Sequence, residues 1–417
     1  MSSLKKTRKI TLKKGKKEDK DALPEKTLSG SVISDEDIIS ESISSENAIS
    51  EIKSKTTKNS KLKKSNPKSH SSSWIHSLSI SDVTKIQFHL NNKESNISIP
   101  FVNGIRRVIL SNIPCYAIED SSVLFLENNS IYNNEFLKHR LTLIPIYSDL
   151  DIQYDEIEIE CVITNTDEYI MNITVNDFKI RNRVTEEVYE PKMIFPYPSC
   201  LLAKLKNGQS MHFKCNVSKN TANSKGSSYC PVSTCIYEFK IDEDKVIEKT
   251  SMMSEEEKLS FSNQDIQRII EYTDNGLPSS YIFKIESIGF YSISKIFLMG
   301  LNILSDKMRT FMEEFTNLSM SSMIEVMIEP LAMEFMIFKV HQHNDTLGNL
   351  LTYYLMKNEN IEYAGYLIEH PLHHHILLKI KLKGENSIIL LQNIMRETVE
   401  NILFLLEQIG NDYQKNI

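Results

Sequence analysis

Between Pro100 and Asn112 the apolar residues Phe101, Val102, Ile105, Val108 and Ile109 recur at three- and four-residue steps, the period of one buried helix face. Pro100 suits the helix start and Pro114 lies just past its end. A second short helix is predicted over Asn134 to Leu141, halted before Pro145. Ile157, Ile159, Cys161 and Ile163 alternate with Glu156, Glu158, Glu160 and Val162, which predicts a half-solvated strand. Pro, Gly and Ser positions between Pro191 and Pro231 predict strands and loops, and the charged run from Asp242 to Asn275 predicts a surface helix and connector. Tyr281 to Ile288 is a further strand. It feeds an amphipathic helix from about Ser292 to Phe315, with Phe297, Leu301, Leu304, Met308, Phe311, Met312 and Phe315 on one stripe.

The same order then returns in shorter form. Strands are predicted at Ile324 to Ile328 and Glu334 to Val340. Leu347, Leu350, Leu351, Tyr354 and Leu355 form a helix face capped by Asn344 or Asp345. A strand at Ile376 to Leu382 leads to a last helix with Leu391, Met395, Val399, Ile402, Leu406 and Ile409 on its apolar face. Each half combines a small sheet, a short buried helix and a long final helix. The pattern is α+β, occurring twice.

Length and charge narrow the classes. A chain of 417 residues, 41% hydrophobic and 25% charged, supports two or three domains, because single cores seldom grow past about 250–300 residues. A formal net charge of -7 argues against phosphate gripping as the main task of the globular part. Six cysteines at irregular spacing (Cys115, Cys161, Cys200, Cys215, Cys230, Cys235) fit a reducing compartment better than a disulfide-stapled secreted domain. No apolar run approaches the roughly 20 residues of a membrane span, and no apolar signal-peptide core is readable at the N-terminus. An intracellular protein without membrane attachment is expected.

Residues 1–75 read as a disordered tail: a basic block (Lys5, Lys6, Arg8, Lys9, Lys13, Lys14, Lys16, Lys17), then Ser/acidic and Lys/Ser stretches with too few large apolar groups to offset the entropy of ordering. The tail reads as a solvated arm; a nuclear-targeting or nucleic-acid-steering role is the sharper alternative.

Specific motifs carry the argument further. Asn103-Gly-Ile-Arg-Arg-Val-Ile-Leu-Ser-Asn-Ile-Pro-Cys-Tyr-Ala-Ile resembles the signature of the alpha-like RNA polymerase subunits: bacterial alpha, the archaeal D subunit and the eukaryotic third-largest subunit. Asn134-Glu-Phe-Leu-Lys-His-Arg-Leu-Thr-Leu-Ile-Pro-Ile, Lys225-Gly-Ser-Ser-Tyr-Cys-Pro-Val-Ser-Thr-Cys-Ile-Tyr and Tyr281-Ile-Phe-Lys-Ile-Glu-Ser-Ile-Gly are similar to that family's next blocks, in family order. The second half is similar to the smaller partner, the archaeal L or eukaryotic eleventh subunit, at His343-Asn-Asp-Thr-Leu-Gly-Asn-Leu-Leu, Ala364-Gly-Tyr and His370-Pro-Leu-His-His-His-Ile. The two on one chain resemble the fused subunit of large nucleocytoplasmic DNA viruses.

The resemblance implies two alpha-like dimerisation domains, the first interrupted by a mostly β inserted domain. Expected boundaries are 76–148 with 276–320 for the first domain, 149–275 for the insert and 321–417 for the second. It implies a non-catalytic assembly platform of DNA-directed RNA polymerase whose halves pair within the molecule. Its implied partners are the two largest polymerase subunits and small zinc-binding subunits, with DNA and RNA met only through the complex. In a viral setting it implies virion and host cytoplasm, with the nucleus as alternative. Residues expected at the pairing or assembly surfaces are Phe101, Asn103, Ile105, Arg106, Arg107, Val108, Ile109, Pro114, Phe136, His139, Arg140, Leu141, Asp345, Leu347, Gly348, Asn349, Leu350, Leu351, Gly365, Tyr366, His370 and Pro371.

Arg106 and Arg107 stand about 100° apart around their helix, so at least one is expected to meet a partner's carboxylate or carbonyl groups. Gly348 inside a helix suggests close approach of another backbone, with Asn349 bonding across it. No cofactor is expected. The span from Tyr147 to Tyr197 holds one cysteine and no histidine, so the four-cysteine zinc site of many third-largest subunits is predicted absent. Cys200, Cys215, Cys230 and Cys235 are poorly spaced for zinc, and the histidines at 370 and 373–375 are read as part of the partner-like block rather than as a metal site. Two other classes remain to be discriminated. A free-standing nucleic-acid-binding transcription regulator would use the basic arm, and a metal-dependent hydrolase would use those histidines.

Overall fold

The computed structural model describes residues 73–92, 96–327, 334–384 and 386–417; residues 1–72 of the expected tail lie outside them, and Ile75 already opens a strand. The chain opens with a hairpin, β1 (Ile75–Asp82) and β2 (Lys85–Asn91), followed by α1 (Ile99–Ser111). Next come β3 (Cys115–Ile118), β4 (Leu124–Asn128), α2 (Asn134–Thr142), β5 (Ile157–Thr164), β6 (Met171–Thr174), β7 (Lys179–Asn182), β8 (Val188–Tyr189), β9 (Leu201–Leu205) and β10 (Ser210–Asn220). After β11 (Val232–Phe239) the chain forms α3 (Glu243–Thr250), α4 (Glu255–Gln264), β12 (Ser280–Ser287) and α5 (Ile293–Thr316). The last stretch holds β13 (Ile324–Met327), β14 (Met336–His341), α6 (Asp345–Leu355), β15 (Ile361–Leu367), β16 (His375–Leu382) and α7 (Ile388–Asn416).

Two modules share one plan. The first is an antiparallel sheet in the order β1-β2-β12-β11 with α1 and α5; the second is an antiparallel sheet in the order β13-β14-β16-β15 with α6 and α7. Between them in sequence, β3-β10-β5-β7-β8, with β4 also on β10, and the ladder β6-β9 build a third, mostly β unit.

Local chemistry sets these elements. Ser98 caps α1 by accepting the Phe101 N–H at 3.1 Å, and Pro100 occupies the first turn, where its missing N–H costs nothing. Of the two cap candidates for α6, Asn344 serves, accepting the Thr346 N–H at 3.0 Å. Ser387 opens α7 in the same way. Every residue of the expected α5 stripe is buried except Met312, which is half-buried.

The structure departs from the expected plan in three places. Val232–Phe239 was expected inside the insert, yet it is a strand of the first module's sheet, because pairing Cys235 with Ile285 and Tyr237 with Phe283 lets Cys235 join that module's core. Conversely β3, β4 and α2, expected in the first domain, bring Ile118, Phe125, Leu137 and Leu141 to the insert's core, while Cys115 and Ala117 of β3 stay with the shared one. In line with the expected domain start, the first module opens on the β1–β2 hairpin, where Ile86, Phe88 and Leu90 alternate inward on β2. The Asp242–Asn275 stretch holds two helices instead of one, the second closed by a capping box between Ser254 and Glu257.

Candidate interaction interface

Along the seam between the modules, α5 lies against α7 and α1 against α6, and one continuous core takes residues from both. At its centre Phe88 and Phe297 of the first module enclose Tyr413 of α7, with ring centroids 5.4 and 4.8 Å from the tyrosine and 4.7 Å from each other. Further along, Phe315 packs on Phe338 at 5.1 Å. Each such side chain removed from water contributes about 1.5–3 kcal/mol, so neither module covers its helices alone at small cost. Close packing shows in Gly300 of α5, where an added Cβ would come within 2.5 Å of Ile109 of α1. Gly348 of α6 is equally constrained, but by the ring of Tyr366, 2.5 Å from such a Cβ, and not by the backbone expected there.

Polar clasps rim this seam. Arg107 Nε donates to Thr346 Oγ1 at 2.8 Å, and its Nη2 lies 3.6 Å from the Asp345 carboxylate, which also accepts from the Tyr366 hydroxyl at 3.3 Å. The Arg107–Asp345 pair is half-exposed and adds little beyond direction. Nearby, burial and then the Arg107 charge lower the Lys307 pKa, while burial and then Lys307 push that of His343 down to about 4. Elsewhere Gln392 Nε2 donates to the last carbonyls of α5, Phe315 O at 3.0 Å and Thr316 O at 3.1 Å. Asp412 near the end of α7 accepts from Ser73 Oγ, Trp74 N and Ile75 N at the start of β1. The Tyr354 hydroxyl donates to Asn96 O at 2.7 Å.

The expected residues sort into two groups. Phe101, Ile105, Val108, Ile109, Leu347, Leu350 and Leu351 are buried in the shared core, and Arg107, Asp345, Gly348 and Tyr366 meet at its rim. Arg106 instead donates through Nε to Asn103 Oδ1 at 2.9 Å within α1, and the Pro114 carbonyl accepts from the Tyr291 hydroxyl. Leu141 belongs to the insert's core, so α2 is not part of the seam. On that helix Phe136 and His139 are exposed, and Arg140 donates to Leu202 O at 3.1 Å while its guanidinium lies 5.8 Å over the Phe136 ring. Asn349 is exposed and does not bond across the Gly348 contact as expected; its carbonyl accepts from Thr352 one turn later. Gly365 is half-buried on β15, and His370 and Pro371 are exposed on the loop beyond it.

Thr346, Gln392, Asp412 and Tyr413 were not anticipated. Tyr413 extends the Ile402, Leu406, Ile409 stripe by four residues and was readable from that spacing; the other three act through partners distant in sequence and left no local sign.

The four cysteines weighed for zinc divide between the two cores. Cys230 and Cys235 pack with the shared core, Cys200 and Cys215 with the insert's. Burial raises the thiol pKa values of Cys161 and Cys235 to about 12 and pushes those of Cys115 and Cys215 upward too. Among the described residues no helix is long and apolar enough to cross a membrane.

The family model described as RNA polymerase Rpb3/Rpb11 dimerisation domain matches residues 93–308, and a second model of that description matches 336–410. DNA-directed RNA polymerase subunit Rpo3 of Methanosphaera stadtmanae is 26% identical over 239 residues, covering 50% of this chain and 87% of the relative. Rpo3 of Thermococcus kodakarensis is 24% identical over 262 residues (54% and 93%), and DNA-directed RNA polymerase II subunit RPB3 of Schizosaccharomyces pombe 24% over 246 (53% and 81%).

Proposed function

The chain belongs to the RNA polymerase Rpb3/Rpb11 dimerisation family, and from that premise we propose that it serves DNA-directed RNA polymerase as a non-catalytic assembly platform holding the two largest subunits. One observation carries the reading: both modules of this family lie on one chain and close over a single core, with Phe88, Phe297 and Tyr413 at its centre. Pairing that elsewhere takes two chains is intramolecular here, at an effective concentration of up to about millimolar.

With the seam filled from inside, assembly falls to side chains left outside it. The exposure or half-burial of Arg106, Phe136, His139, Asn349, His370 and Pro371 supports such a role for them, and the exposed Leu124 and Leu126 of β4 extend the apolar surface available. The two largest polymerase subunits are the partners of choice, with small zinc-binding subunits beside them. The insert is expected to work without a four-cysteine zinc site, because the span from Tyr147 to Tyr197 offers Cys161 as its one cysteine and no histidine. The one-chain arrangement supports a viral origin, with virion and host cytoplasm as the place of action and the nucleus as alternative.

Purification of the chain from cells making the whole polymerase is expected to recover the two largest subunits at equal stoichiometry. A chain recovered without them would overturn the proposal. Salt-sensitive DNA binding by the isolated protein, lost on deletion of the basic arm, would favour the regulator instead.

A further inference from the structure

The loop between β15 and β16 turns back on itself so that Glu369, on its way out of the sheet, faces His373 and His375 on the way in. One ligand atom from each lies within 4.8 Å of the others. Glu369 Oε2 and His375 Nε2 are 3.2 Å apart. Around a tetrahedral zinc-type ion, with bonds of about 2.0–2.1 Å, neighbouring ligand atoms stand about 3.4 Å apart. That pair, hydrogen-bonded in the ion's absence, already has the spacing of such an edge, and the third donor belongs to the exposed His373. The rings of His373 and His375 lie beside one another, centroids 5.0 Å apart and 17° from parallel, so one ring must turn for both in-plane lone pairs to meet at one ion.

We infer that Glu369, His373 and His375 form a binding site for a divalent transition metal ion of the zinc type, open to water or to a further ligand on its remaining side. Two imidazole nitrogens and one carboxylate oxygen suit a borderline ion far better than calcium or magnesium, which take oxygen sets. The scaffold is set before any ion arrives. His375 is the first residue of β16, paired directly with His341 of β14, whose ring is held by Glu325 at 3.0 Å. The loop is shaped by His373 N donating to His370 O at 2.9 Å and Gln342 N donating to His374 O at 2.7 Å. His370 accepts the Leu372 N–H on its Nδ1 at 3.2 Å, so that nitrogen is engaged in holding the turn and the neighbouring histidine does the ligating. Bound there, the ion would pin the β15–β16 loop to the sheet. The inference does not depend on the polymerase reading; it would stand for this chain in any complex.

The test uses the untagged full-length chain, stripped of metal and titrated calorimetrically with zinc, with cobalt as a spectroscopic probe. The expected result is one saturable site per chain. Its Kd rises by about tenfold or more in His373→Ala and in Glu369→Gln, since even outer-shell changes reach that scale, and stays unchanged in His374→Ala. Cobalt is expected to give visible absorption without a thiolate charge-transfer band. Both Glu369 and His373 are exposed, so their variants are expected to keep the parent circular dichroism and melting curve without metal. Absence of saturable binding, or binding whose stoichiometry and Kd survive both substitutions, overturns the inference.

Discussion

Among the described residues two hydrophobic cores are built on different terms. The insert's core is local, drawn from residues between Ile118 and Val217, and closes on itself. The shared core runs from Ile75 to Tyr413 and closes only when two modules far apart in sequence meet. A local core tolerates separation from the rest of the molecule, whereas a shared one makes each half a condition of the other's stability. With two dimerisation domains on one chain, the surface between them becomes an interior.

Matched aromatic truncations break or sharpen this contrast most strongly. Phe297→Ala and Phe213→Ala each remove a fully buried ring and are expected to cost about 3–5 kcal/mol. Hydrogen exchange separates them: Phe297→Ala is expected to lose protection in α5 and α7 together, Phe213→Ala only across β5 and β10. Loss confined to the first module in Phe297→Ala would show that the modules do not depend on each other. Next in size is Gly348→Ala, whose methyl meets the Tyr366 ring; overpacking of this kind costs about 1–3 kcal/mol. Gly348→Ala combined with Tyr366→Ala is expected to recover part of the loss in urea unfolding.

Arg107→Ala removes the bond to Thr346 and is expected to cost about 1 kcal/mol. Arg106→Ala loses only a contact within α1, about 0.2–0.5 kcal/mol, and is expected to weaken recovery of the large subunits more than it weakens the fold. Spacing around the helix set the two arginines apart, and the structure places Arg107 on Thr346 and Asp345 and Arg106 on Asn103. Equal effects on unfolding and on copurification would deny that division.

The smallest effect at neutral pH comes from His343. Its pKa is lowered by burial and Lys307 to about 4, from the 6.5 of an unperturbed imidazole. Between these values the unfolded chain binds the extra proton and the folded chain does not. Stability is therefore full above about pH 6.5 and declines as pH falls toward 4. His343→Gln is expected to flatten that part of the urea-midpoint profile against pH while leaving the neutral value nearly unchanged.

Reading the sequence recovered what repeats locally. The α5 and α7 stripes, the capped α6 and the α1 motif all announce themselves through spacing, because a helix buries a face whose period is written in consecutive residues. The twofold α+β order and the family resemblance followed from the same local blocks. Spacing also says that such a stripe needs cover, but it does not name the cover. Which residues face which was decided by tertiary structure: Arg107 on Thr346, Tyr413 between Phe88 and Phe297, Asp412 on the start of β1, and Glu369 returned to His375. The transfer of β11 from the insert to the first sheet belongs with these. An edge strand's alternation shows that it has an inner face and leaves open which of two sheets that face will meet; the choice rests on the total apolar area closed when all the elements assemble.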